Sequence, residues 1–193
     1  MKTEENAETK QILRLIYRNA DRLLKLVNQL LDFRKIDVQG DTLVLSTGDI
    51  VPFVRDVAYS FKELSEQKHI RFSFSSVFTS LPMRFDTDKV FKIVSNLLSN
   101  AFKFTPEGGM ITVTLSLLPD KEGRNKLLIE VSDSGIGIPA DKQEAIFDRF
   151  YQVSSSDKGN PVMGTGIGLH LCREFVRMHQ GSIAIKSQPD RKS

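Results

Sequence analysis

Apolar residues at Ile16, Ala20, Leu23, Val27 and Leu30 recur at alternating steps of four and three, the spacing of a seam along one side of an α-helix. Leu13, Leu24 and Leu31 widen that stripe, which suits a helix bundle better than a two-stranded zipper. Arg14, Arg18, Arg22, Lys25 and Asp32 occupy other faces. The pattern predicts one helix over residues 10–36, about 40 Å long at 1.5 Å per residue. An amphipathic surface helix would alternate in the same way, but that length exceeds what a domain of this size usually packs. Residues 38–42 then form a turn, and Leu43-Val44-Leu45 leads into a short strand.

Beyond this point the period switches between helix and strand. Asp49 is placed to cap a helix reaching about Gln67, with Pro52 tolerated in its first turn. Residues 70–75 alternate as a strand, and Met83-Arg84-Phe85 forms a second short one. Asp86 caps the next helix, to about Phe104. Residues 110–117 and 126–132 pair across the polar turn Pro119-Asp120-Lys121-Glu122-Gly123. A short helix over 141–148, a Ser/Gly/Pro stretch, a helix over 166–179 and a final strand over 182–187 complete the chain. Helices and hairpins mixed in this order imply an α+β fold, with helices layered on one face of a sheet.

At 193 residues and 40% hydrophobic, the chain can bury one domain core with an element appended. Lys+Arg 27 against Asp+Glu 24 leaves a net charge of +3. The signs are interspersed, which argues against nucleic acid as a partner, since such a reader gathers its cations on one face. The single cysteine, Cys172, rules out an internal disulfide or a zinc site of several thiolates, and its apolar helical setting is that of a packed core thiol. No apolar run approaches the ~18 residues of a membrane span. The expectation is a cytoplasmic domain without membrane contact of its own, any membrane-attached part lying outside this sequence.

Three segments concentrate chemistry. In Asn96-Leu97-Leu98-Ser99-Asn100-Ala101-Phe102-Lys103-Phe104, the spacing i, i+4, i+7 puts Asn96, Asn100 and Lys103 on one helix face. An amide oxygen is a hard ligand for Mg2+ and an ammonium is a point charge for phosphate, although a solvated polar face would look the same. Asp133-Ser134-Gly135-Ile136-Gly137-Ile138-Pro139 follows an apolar strand; an Asp there can accept from a base amine, and the glycines admit a close ligand or only a turn. Gly164-Thr165-Gly166-Ile167-Gly168-Leu169 opens a helix, where phosphates can sit on backbone amides. It is not a Walker loop, because no Lys-Ser/Thr follows, and it lacks the strand and acidic residue of a dinucleotide fold.

In this order and spacing the three segments resemble the N box and the two glycine boxes of the catalytic domain of sensor histidine kinases, in the GHKL superfamily shared with gyrase, Hsp90 and MutL. Phe147-Asp148-Arg149-Phe150-Tyr151 between them looks like the F box. Residues 22–33, Arg-Leu-Leu-Lys-Leu-Val-Asn-Gln-Leu-Leu-Asp-Phe, resemble the second helix of the dimerisation and histidine-phosphotransfer domain. The resemblance spans nearly everything after residue 10. It implies a two-layer α/β sandwich of the Bergerat type, a mixed sheet against three helices, preceded by one long bundle helix. Residues 1–40 would be that helix, with the first bundle helix absent, and 41–193 the catalytic domain, short of its last strand.

Carried onto this chain, the resemblance makes Asn100 the Mg2+ ligand, Asn96 a support at the phosphate end and Lys103 a phosphate contact. Phe104 would lie against adenine, Asp133 would accept from its amine, and Gly135 and Gly137 would keep that wall open. Gly164, Thr165, Gly166, Gly168 and Leu169 would wrap the phosphates of ATP. Phe147 and Phe150 would anchor a lid over about 152–164, with Arg149 a candidate phosphate contact. The implied activity is a protein-histidine kinase of a two-component phosphorelay, homodimeric through its bundle helices and partnered by a response regulator receiver domain.

The runner-up is an ATP-driven conformational protein of the gyrase or Hsp90 kind, in which a glutamate four residues before the metal-binding Asn activates water. Here Asn96 stands there, and an amide is no general base. A third reading, a nucleotide-binding scaffold without activity, is disfavoured because all three boxes are intact. The family's phosphoacceptor His precedes an acidic residue, whereas the three histidines here precede Ile70, Leu171 and Gln180. The chain alone is therefore expected not to autophosphorylate.

Overall fold

The computed structural model describes residues 2–39, 42–119, 123, 125–152 and 165–188. Helix α1 (Lys2–Gln39) is longer than its seam predicted, running into the region expected to turn. The seam faces solvent: Ile16, Leu23, Val27 and Leu30 are each more than half exposed. The side chains of Arg14, Arg18 and Arg22 lie outside the described residues.

Strand β1 (Ser46–Asp49) begins directly after the apolar Leu43-Val44-Leu45 expected to lead into it. The Val44 N–H donates to Asp86 Oδ2 at 2.8 Å, which takes that stretch out of ladder geometry. Asp49 then caps α2 (Ile50–Tyr59), accepting from the N–H groups of Val51 and Leu81, both at 3.0 Å. The single helix predicted to Gln67 is broken at Ser60 and Phe61, after which α3 (Lys62–Gln67) resumes. The break lets the Phe61 ring stack on Phe102, with centroids 5.7 Å apart.

β2 (Arg71–Ser76) alternates, with Phe72 and Phe74 turned inward, and β3 (Pro82–Phe85) pairs antiparallel with β1. α4 (Thr87–Phe104) has both ends written in its sequence. Asp86 Oδ1 accepts the Lys89 N–H at 3.0 Å, and Thr105, preceding Pro106, is held in an extended conformation that ends the helix. β4 (Met110–Pro119) lies parallel to β2 and antiparallel to β5 (Asn125–Asp133), giving a mixed sheet in the order β2-β4-β5. Asp120, Lys121 and Glu122 of the predicted turn lie outside the described residues.

The short helix expected at 141–148 is instead two 3-10 turns, Ala140–Lys142 and Ala145–Phe147. The Phe147 carbonyl is turned toward His170 Nδ1, 3.3 Å away. α5 (Gly168–Met178) follows. The strand expected at 182–187 has no ladder partner among the described residues. Its end is fixed by the Ser187 hydroxyl, which accepts from the Ile138 N–H, and by the Ser187 carbonyl, which accepts from the Gln143 amide, both at 2.8 Å.

α4 serves two cores. Val94, Leu98 and Phe102 pack with Val54 and Ala58 of α2 onto Ile111, Val113 and Leu115 of β4. Ile93 joins Ile167, Leu171, Cys172 and Phe175 of the α5 side, and Phe33 and Ile36 of α1 pack against this second cluster. Each aliphatic so buried contributes ~1.5–3 kcal/mol. Burial pushes the Cys172 thiol up to about 12, so it stays protonated and inert. The architecture is the mixed α/β arrangement the glycine boxes implied.

Candidate functional site

The three chemistry-bearing segments meet along one flank of α4. Asn96 and Asn100 are half-buried there and Lys103 is exposed, one stripe down a helix whose other faces are packed. No hydrogen bond to either asparagine side chain occurs among the described residues. Lys103 Nζ lies 5.0 Å from the centre of the Phe104 ring.

Backbone joins this flank at both ends. At the Phe104 end, a Cβ built on Gly135 would lie 2.8 Å from the Phe104 carbonyl oxygen and 2.7 Å from Asp133 Oδ1, so any side chain would force the segment away from α4. Asp133 sits at the exposed end of β5, opposite Ile111, and its Oδ1 accepts the Gly135 N–H at 2.9 Å. Gly137 follows at φ 70°, a left-handed conformation that glycine takes without strain. At the other end, a Cβ on Gly168 would meet the Asn96 carboxamide at 2.3 Å. Asn96 and Phe104 are thus the two poles, about 12 Å apart along the helix axis.

The Asn96 pole is electropositive for a structural reason. α5 starts at Gly168 without a side-chain cap, leaving first-turn amides directed out of the helix. Thr165 Oγ1 accepts the Ile167 N–H at 3.2 Å and donates to Gln29 Oε1 of α1 at 2.9 Å. Leu169 is half-buried in the first turn. Gly164 and residues 153–163 of the expected lid lie outside the described residues.

The F-box residues divide. Phe147 is buried, as expected, but Phe150 is 60% exposed, and its backbone rather than its ring is the anchor. The Phe150 N–H donates to the Gly166 carbonyl at 3.0 Å, and a Cβ on Gly166 would lie 2.5 Å from Phe150 backbone. Arg149 places its guanidinium 4.9 Å above the Phe33 ring.

Sequence reasoning missed the α1 residues that reach this site. Asp32 pairs with Lys92 at 2.8 Å, and Phe33 lies 6.2 Å from the Phe150 ring and 6.1 Å from His170. Lys92 also meets Asp88 at 2.8 Å. Burial works to lower the Lys92 pKa, but the two carboxylates outweigh it and the net shift is upward. The only signal was that Phe33 and Ile36 are apolar yet fall off the seam.

A nucleotide triphosphate with Mg2+ fits this donor set. It offers close backbone at both poles, uncapped amides at one, a carboxylate at the other, and amide oxygens and an ammonium between. Among the described residues no group of three His, Cys, Asp or Glu side chains is placed to hold a metal, so a cation here would rely on an amide oxygen and its own phosphates. No described helix is long and apolar enough to cross a membrane.

Residues 85–193 match the family described as histidine kinase-, DNA gyrase B-, and HSP90-like ATPases. The sensor histidine kinase TmoS of Ectopseudomonas mendocina is 40% identical over 175 residues, covering 91% of this chain but 17% of TmoS. WalK, a sensor histidine kinase of Bacillus subtilis, is 33% identical over 90% of this chain and 28% of its own length. Among solved structures, full-length ShkA in complex with AMPPNP superposes with a TM-score of 0.75 at 26% identity, covering 89% of this chain and 34% of ShkA.

Proposed function

Because the chain belongs to the family of histidine kinase-, DNA gyrase B- and HSP90-like ATPases, we propose that it binds Mg-ATP and acts as the catalytic domain of a sensor histidine kinase. Residues 1–40 serve as a helix of the dimerisation and phosphotransfer bundle, and 41–193 as the catalytic domain. The observation that carries this reading is the pair of glycine contacts, Gly135 on Phe104 and Gly168 on Asn96, which bring two loops onto one α4 stripe.

Asp133 accepts from the adenine amine, and Phe104 lies along the base. Asn96, Lys103 and the segment from Gly164 to Leu169 take the phosphates, with the α5 amides as donors. Asn100 would hold Mg2+ through its amide oxygen, and the ion would supply charge neutralisation for the phosphates. In the transfer, an imidazole nitrogen of a bundle histidine forms the new P–N bond as the bond to the ADP oxygen breaks. A response regulator receiver domain then takes the group. The chain's part is to orient ATP, which accounts for much of the rate in such transfers. Asn96, lacking a basic carboxylate, leaves water unactivated and favours transfer over hydrolysis.

Titration with a fluorescent ATP analogue tests the site. Asp133→Asn should weaken binding about 5- to 150-fold, the cost of a lost buried hydrogen bond. Asn100→Ala should remove the Mg2+ dependence of ATP binding while sparing adenosine. Unchanged ATP affinity in a folded Asp133→Asn chain takes Asp133 out of the site, and equal loss of ATP and adenosine in Asn100→Ala takes the metal role from Asn100.

A further inference from the structure

Helix α1 reaches the loop that opens α5 through one directed hydrogen bond. The Thr165 hydroxyl has a single hydrogen, and it points at Gln29 Oε1, 2.9 Å away. Thr165 Oγ1 also accepts the Ile167 N–H at 3.2 Å, so one of the amides at the mouth of α5 is turned inward onto Thr165. The contact is buttressed by Asp32 on Lys92 at 2.8 Å and by Phe33 beneath the Arg149 guanidinium. Phe33 also flanks Phe150, a bulky residue held at φ 61°, where non-glycine residues are rare.

We infer that docking of α1 and binding of a triphosphate compete for the Thr165 hydroxyl, so that Gln29 lowers the nucleotide affinity of the site. The inference rests on the phosphate assignment made above for this loop. While Gln29 holds Thr165, the hydroxyl proton at the phosphate pole is engaged with a group other than phosphate. A phosphate oxygen that takes it must displace the helix contact. By linkage the effect is reciprocal: whatever factor docking takes from nucleotide affinity, nucleotide takes from docking.

Two α1 variants separate this from a packing role. Gln29→Ala removes the acceptor and leaves the apolar cluster alone, whereas Phe33→Ala loosens docking without touching Thr165. Each should bind AMPPNP about three- to tenfold more tightly than the parent chain, the scale of one neutral hydrogen bond. Adenosine, which carries no phosphate, should bind all three chains alike. Hydrogen exchange over residues 25–36 should accelerate when AMPPNP is added to the parent chain. Equal or weaker AMPPNP affinity in both variants, or slower exchange with nucleotide, overturns the inference and leaves the nucleotide site standing. Failure of all three chains to bind AMPPNP removes both.

Discussion

Asp86 Oδ1 caps α4 through the Lys89 N–H, while Oδ2 accepts the Val44 N–H at 2.8 Å and the Lys89 ammonium at 3.2 Å. Both side chains are almost fully buried, so the pair fastens the segment after α1 to the start of α4. Burial works to raise the Asp86 pKa, but its hydrogen bonds and the Lys89 charge outweigh it, and the net shift is downward. Its stabilising effect is therefore complete above the unfolded carboxylate value of about 3.9 and is lost as pH falls through the lower folded value. Asp86→Ala should cost ~1–3 kcal/mol in urea unfolding, because the Val44 and Lys89 N–H groups lose their shared acceptor. A loss under ~0.5 kcal/mol would mean water satisfies both groups. The sequence identified this Asp as a cap from its place before an apolar run. Its other two bonds join residues 42 apart or buried by tertiary packing, which local pattern does not encode.

Among the elements, α4 was legible end to end because its cap, its apolar spacing and the Thr105-Pro106 stop agree. β1 follows Leu43-Val44-Leu45 as expected, but its register comes from pairing with β3, which local preference does not encode. The site's two glycine joints were visible as motifs, but the Gln29–Thr165 bond, across 136 residues, was not. α1 carries the next prediction. A stripe of Ile16, Leu23, Val27 and Leu30 in water forgoes ~1.5–3 kcal/mol per aliphatic, so a second copy of the chain should cover it. Leu23→Glu with Leu30→Glu should shift sedimentation from dimer toward monomer while the catalytic fold persists. A parent chain that sediments as a monomer at every concentration refutes that pairing.

At the scale of the whole molecule, the proposed function gives the chain the ATP half of a transfer, and its three histidines are placed for other work. His179 accepts the Asp86 N–H at Nε2, which leaves Nδ1 to donate to the Phe175 carbonyl at 2.8 Å. His170 is buried against Phe147, and His69 is exposed beside Glu107. Incubated with γ-labelled ATP, the chain should bind nucleotide, hydrolyse it slowly and acquire no acid-labile phosphate. A separate bundle helix bearing its own histidine should restore labelling in trans, weakly, because effective concentration is low without a tether. Strong acid-labile labelling of the chain alone would contradict this and direct attention to His69.

The orientation of α1 has one more consequence. At about 100° per residue, Ile16, Ala20, Leu23, Val27 and Leu30 centre on one direction, and Gln29, Asp32, Phe33 and Ile36 on another roughly 150° away. The helix is a two-sided rail. A neighbouring helix on the first side leaves the second unobstructed, so assembly and docking do not contend for the same surface. In a symmetric pair the catalytic domains would hang outward on opposite flanks. Each would then be screened from the other by the full thickness of the bundle.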